Sequence, residues 1–185
     1  MLILGKSAHR LSIDIDVICP PGTNIEDYLK SFADFGFINL ELVERKQRDD
    51  ADIPKSHSKF FYQIAYRNDT DAQSYILLDV LYEDIHYFRT QQIAIDCPFI
   101  RLEGKPLMVT VPSAEDILGD KLTAFAPNTT GIPYYKNGRS CSMEIAKQLY
   151  DVGRLFENVS DLQITKEAFR KIAVVELSYR SFGTD

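Results

Sequence analysis

Two aspartates one residue apart, Asp14 and Asp16, lie in the alternating run LSIDIDVIC over residues 11–19. Alternate residues of a strand are about 6.6 Å apart and share a face. Leu11, Ile13, Ile15 and Val17 point one way; Ser12, Asp14 and Asp16 point the other. Carboxylates held like this, with Ile13 and Ile15 anchoring the strand from behind, can converge on a hard divalent cation such as Mg²⁺. Without a cation they repel each other. A D-x-D pair alone equally describes the wet side of an edge strand. Asp79 adds weight to the cation reading. It interrupts the apolar run YILLDVLY (75–82), which reads as a strand buried on both faces, where a carboxylate is costly unless paired, protonated or metal-bound.

Two charges on helical segments complete the candidate set. Lys121 is four residues after Ile117 and four before Phe125, so it falls within the apolar stripe of a helix over 113–126. It either snorkels or directs an ammonium into an acidic or phosphate-filled cleft. Asp151 sits in KQLYD with Lys147 four residues earlier, the spacing of an ordinary surface bridge. Other residues carry less. His9, His57 and His86 have no ligand spacing. Gly5-Lys6-Ser7 lacks the upstream glycine and strand of a P-loop. Tyr134-Tyr135-Lys136 with Arg139 is the best basic–aromatic cluster and reads as a solvated loop, with nucleotide or RNA contact as the sharper alternative.

The elements that must position these groups are legible from periodicity. Residues 11–19 form a strand ended by Pro20-Pro21-Gly22; a helix capped by Asn24 runs to Gly36; residues 37–46 alternate again. Residues 46–58 are polar and read as a mobile loop. Residues 59–67 and 74–83 are aromatic and β-branched strands. QIAID, FIRLE and PLMVTV suggest three shorter strands, with Gly104 turning between the last two. Ser113 caps a helix to about Ala126 with Asp116 three residues on, residues 127–140 form a loop, and helices follow at about 141–157 and 165–180. The fold class is α+β: a mixed-sheet core over 1–111, then a helical region over 112–185 packed on it as one unit.

Composition sets outer bounds. The 185 residues, 45% hydrophobic and 26% charged, suffice for a proper core. Lys plus Arg is 21 against 27 for Asp plus Glu, a net charge of −6, which argues against a protein that coats DNA generally. Cys19, Cys97 and Cys141 are scattered and suit neither a disulfide framework nor a zinc site. They read as core packing in a reducing cytoplasm. No apolar stretch approaches membrane-spanning length, and the start is too short in apolar residues for a signal peptide.

The segment His9-Arg10-Leu11-Ser12-Ile13-Asp14-Ile15-Asp16 resembles the H-R-x-S-x-D-I-D motif of the AbiEii/AbiGii-type nucleotidyltransferase toxins, within the polymerase-β-like nucleotidyltransferase superfamily. Leu77-Leu78-Asp79-Val80 resembles the strand with the family's third carboxylate. EDILGDKLTA (115–124) is similar to the helix with the family lysine, and KQLYDV (147–152) to the downstream K-D-L-Y-D-L helix, with Gln148 in place of a common Asp. The four blocks occur in family order from residue 9 to 152. The resemblance implies a nucleotidyltransferase-like core. It implies Asp14, Asp16 and Asp79 as ligands of Mg²⁺ or Mn²⁺, and Arg10, Ser12 and Lys121 as nucleotide-binding residues. Lys121 and Asp151 join the three aspartates in catalysis. The resemblance further implies an NTP as substrate, a hydroxyl such as that of a tRNA end as acceptor, and a cognate antitoxin as partner. The family's Gly-Gly-Thr/Ser loop precedes the equivalent of His9 and has no counterpart after Met1, so the chain is expected to be a shortened member. An alternative is therefore a truncated, non-catalytic nucleotide- or partner-binding domain of the same fold. A haloacid-dehalogenase-type phosphohydrolase also uses D-x-D, but His9, Arg10 and Ser12 interrupt the apolar strand it requires.

Overall fold

A computed structural model describes residues 12, 14–42, 55–63 and 73–179. Contacts group the chain into two compact units: one is Ser12–Ile85, and the other contains everything from His86 onward.

The first unit is a four-stranded mixed sheet in the order β1-β4-β3-β2. Its strands are β1 (Asp14–Cys19), β2 (Asn39–Leu42), β3 (Lys55–Gln63) and β4 (Gln73–Tyr82). β1 and β4 are parallel; β4–β3 and β3–β2 are antiparallel. A parallel pair cannot be joined by a hairpin, and the chain between β1 and β4 carries helix α1 (Glu26–Leu29) and the β2–β3 pair. The register sorts the side chains. One face takes Val17, Ile76, Leu78, Val80, Ser58, Phe60 and Leu40. Val80, Ser58 and Phe60 are buried there, and Phe37 packs its ring 5.4 Å from that of Phe60. The other face takes Asp14, Asp16, Asp79 and Leu77, with Phe61 and Tyr75 paired at 5.8 Å and the Lys59 ammonium over the Tyr75 ring.

Several elements differ from their sequence-based expectation. The helix expected up to Gly36 is one α-turn and a separate 3₁₀ turn, Phe32–Phe35. Ser31, Phe32, Asp34 and Phe35 are mediocre helix formers, and Asn24 hydrogen-bonds the Asp27 carboxylate at 2.9 Å instead of capping backbone amides. Lys55–Ser58, expected in a loop, begin β3, whose antiparallel pairing with β4 extends to Lys55–Leu81. The rest of that expected loop lies outside the described residues.

In the second unit, β5 (Thr90–Ala94) and β6 (Met108–Pro112) form a hairpin, and α2 (Ala114–Leu122), α3 (Ser142–Phe156) and α4 (Leu162–Ser178) pack beside one another. FIRLE forms no strand. Residues 127–140 contain a second hairpin, β7 (Tyr135–Lys136) and β8 (Arg139–Ser140). α4 starts at Leu162 because Asp161 caps it, accepting from the amides of Gln163 and Ile164 at 3.0 and 3.4 Å. Leu118, Leu155 and Cys97 form the buried centre, with Ile117, Leu122 and Val152 packed against it. α2 crosses α4 at Gly119, where an added Cβ would lie 2.7 Å from the Thr165 carbonyl and 2.8 Å from the Ala168 Cβ. The mixed sheet and the helical C-terminal part make the fold α+β.

Candidate active site

The carboxylates of the sheet are brought together by strand register. β1 and β4 pair with Asp14 beside Leu77 and Asp16 beside Asp79. Side-by-side residues of neighbouring strands share a face, and strands lie about 4.8 Å apart. Asp16 and Asp79 are therefore direct neighbours, with Asp14 one pleat along the same face, so the three Cα atoms fall within about 8 Å. That face is opposite the one carrying Phe60 and Val80. Asp16 is exposed, whereas Asp14 and Asp79 are half-buried. Asp79 is thus less enclosed than its apolar neighbours in sequence suggest, although Leu77 on the same face is buried. Ile15, expected to anchor β1 from behind, is 50% exposed; β1 is an edge strand. Ser12 precedes the strand, and its hydroxyl accepts from the Asp14 amide at 3.2 Å and reaches the Asp14 carboxylate at 3.5 Å. Arg10 lies outside the described residues.

A second cluster belongs to the helical unit. Lys121 Nζ donates to Gln148 Oε1 at 3.1 Å and lies 3.4 Å from Asp151 Oδ2. The Asp151 side chain is 3% exposed and that of Lys121 27%. Lys121 is thus not laid along Phe125 with its head in solvent: its ammonium bridges α2 to α3. Gln148 and Asp151 are three residues apart and share a helix face. That spacing is the sequence signal for Gln148, which stands where the family pattern commonly has Asp. α2 is pinned at its start as well. Asp116, fully buried, accepts from the amides of Phe88 and Arg89 at 2.8 and 3.0 Å and from the Ser113 hydroxyl at 2.7 Å. Ser113 in turn accepts from the Asp116 amide. This reciprocal cap satisfies helix-terminal donors. Asp120 accepts from the Tyr87 hydroxyl at 2.9 Å. Glu115 accepts from the amide and hydroxyl of Ser160, and the Ser160 amide holds its carboxyl below the ordinary range.

Among the described residues, no group of three or more His, Cys, Asp or Glu side chains forms a metal-holding cluster. No helix among them is long and apolar enough to cross a membrane. The sequence profile of one family, described as the nucleotidyl transferase AbiEii toxin of a type IV toxin–antitoxin system, matches residues 1–180.

The chain belongs to the AbiEii family.

No curated protein and no solved structure matches it. The family match runs through all four sequence blocks, so the D-x-D strand, the Asp79 strand, the Lys121 helix and the Asp151 helix all fall within an AbiEii nucleotidyltransferase toxin sequence.

Proposed function

We propose that this protein is an active, metal-dependent nucleotidyltransferase that moves an NMP from an NTP to a hydroxyl acceptor such as that of a tRNA. The observation that supports the reading is the register that sets Asp79 beside Asp16 on one face of the sheet. Asp14, Asp16 and Asp79 offer hard anionic oxygens. Mg²⁺ is ordinarily held by one or two carboxylates together with substrate phosphates, not by a complete protein cage, so this donor set fits an ion shared with a triphosphate. When bound, the ion neutralises phosphate charge and steadies the attacking and leaving oxygens.

The chain's own residues divide the remaining work. Asp79, half-buried, takes the proton of the acceptor hydroxyl. The acceptor oxygen bonds to the α-phosphorus as the bond to the β-phosphate bridge breaks, and pyrophosphate leaves. The Ser12 hydroxyl and Arg10 donate to phosphate oxygens. Lys121 neutralises phosphate charge, with Asp151 and Gln148 fixing its ammonium. The partner is a cognate antitoxin, and the setting is the cytoplasm.

The test is incubation of the full chain with each NTP, labelled at the α-phosphate, together with total tRNA and Mg²⁺ or Mn²⁺. Label should pass to RNA with at least one NTP. Asp16→Ala and Asp79→Ala should abolish transfer, and Lys121→Gln should reduce it at least tenfold without unfolding the chain. NTP binding with no transfer under any of these conditions would establish the non-catalytic alternative.

A further inference from the structure

The segment expected to be a solvated loop is a built element. Tyr135 pairs with Ser140 and Lys136 with Arg139 in a two-stranded ribbon. Asn137 and Gly138 turn it with φ of 52° and 75°, the pair of positive values a type I′ hairpin needs. The Cys141 amide donates to the Tyr134 carbonyl at 2.9 Å and closes the base, and α3 begins at the next residue. Tyr134 and Tyr135 are 65% and 71% exposed. Tyr135 opens the ribbon and Tyr134 stands at the bend immediately before it, so two exposed rings sit at its base. Lys136 and Arg139 are exposed and directly opposed. Like charges facing each other across a ladder are destabilising, so the hairpin holds a cation pair that a polyanion would relieve. No acidic residue occurs between Pro127 and Met143, in a chain whose net charge is −6.

We infer that the β7–β8 hairpin binds unpaired nucleotides of a single-stranded nucleic acid, with bases stacked on Tyr134 and Tyr135 and phosphates on Lys136 and Arg139. Accessible aromatic faces beside cations on a rigid backbone are what such recognition requires. A folded hairpin also presents its tyrosines at little entropic cost. The inference rests on the proposed transferase reading for the purpose of that strand. Along α3, Gln148 and Asp151 lie about 9 and 14 Å from the hairpin's end. At about 3.4 Å per stacked nucleotide, that is three to four nucleotides from the Lys121 cluster.

Fluorescence anisotropy of labelled oligoadenylate, as RNA and as DNA, titrated with the full chain tests this. Tyr134→Ala and Tyr135→Ala should each weaken binding about 5- to 100-fold, the effect of losing one base–aromatic stack. Tyr135→Phe should bind like the parent. Lys136→Gln combined with Arg139→Gln should flatten the salt dependence by about 1.4 in log K against log salt. RNA and DNA binding alike supports recognition by bases and phosphates; preference for RNA adds a contact to the 2′-hydroxyl. The inference is overturned if the parent chain does not bind oligoadenylate or if both Tyr→Ala variants bind unchanged. It is also overturned if poly-glutamate competes as well as unlabelled oligoadenylate, which would make the hairpin a site for an acidic protein segment. Hairpin-dependent binding in a chain that transfers no nucleotide would sink the transferase reading and leave the hairpin standing.

Discussion

At the scale of single residues, the decisive pair is Asp16 and Asp79. Side by side on neighbouring strands, the two side chains offer the carboxylate oxygens that the proposed cation would share. Asp16→Asn keeps the shape, removes the charge and turns one acceptor oxygen into a donor. The variant should lose the rise in Tm that Mn²⁺ is expected to give the parent. Thermal melts with and without Mn²⁺ check this; an equal Mn²⁺ effect in both proteins would remove Asp16 from the ion site. The D-x-D pair and Asp79 were legible because strand periodicity fixes faces and an acid in an apolar run stands out. The register that makes Asp79 the neighbour of Asp16 was not legible, since pairing is set by contacts distant in sequence. Sequence marks Asp116 only as a capping partner. Its complete burial depends on the amides of Phe88 and Arg89, which local sequence does not announce.

At the scale of elements, α2 organises the helical unit, and its residues divide by what they touch. Gly119 allows the crossing with α4, since a Cβ would meet backbone atoms of Thr165 and Phe169 at 2.7 Å. Overpacking of this kind costs typically 1–3 kcal/mol, and the gain in helix propensity returns about 1 kcal/mol. Gly119→Ala should therefore destabilise by up to roughly 2 kcal/mol in urea unfolding; a stabilised variant would mean the crossing opens freely. Glu115 links the start of α2 to Ser160, and its pKa is lowered in the fold, chiefly by the Ser160 amide. A depressed carboxylate pKa contributes stability above the unfolded value and loses it as pH falls through the folded one. Glu115→Gln should therefore melt below the parent at neutral pH, with the gap closing as pH drops through the acid range beneath the ordinary glutamate value of about 4.3. Most elements were readable, with misses of distinct kinds. The Asn137-Gly138 pair is a strong short hairpin signal, but surrounding turn formers concealed two-residue strands. FIRLE has strand-like residues and no partner. Before Gly36 the apolar spacing suggests a helix that the weak propensities of its residues do not sustain.

At the scale of the whole molecule, charge decides which partners are admitted. Residues 127–143 carry Lys136 and Arg139 and no acid, so the rest of the chain carries −6 − 2 = −8. With a pI near 5.1, the overall field at neutral pH repels a polyanion, and the hairpin's cations act against it over about one Debye length, near 8 Å at physiological ionic strength. Charge alone is then insufficient, and any nucleic acid held at the hairpin must also gain from stacking on Tyr134 and Tyr135. This separates the hairpin from a general basic patch, whose binding follows counterion release and ignores bases. Heparin, a polyanion without bases, should elute from the full chain at physiological salt with no measurable retention, under conditions where oligoadenylate is held. Competition between the two in the anisotropy assay measures the difference. Heparin displacing oligoadenylate at equal charge concentration would mean that the local cations dominate and the tyrosines are bystanders. Failure to compete, with binding still lost in Tyr135→Ala, would assign the discrimination to the rings.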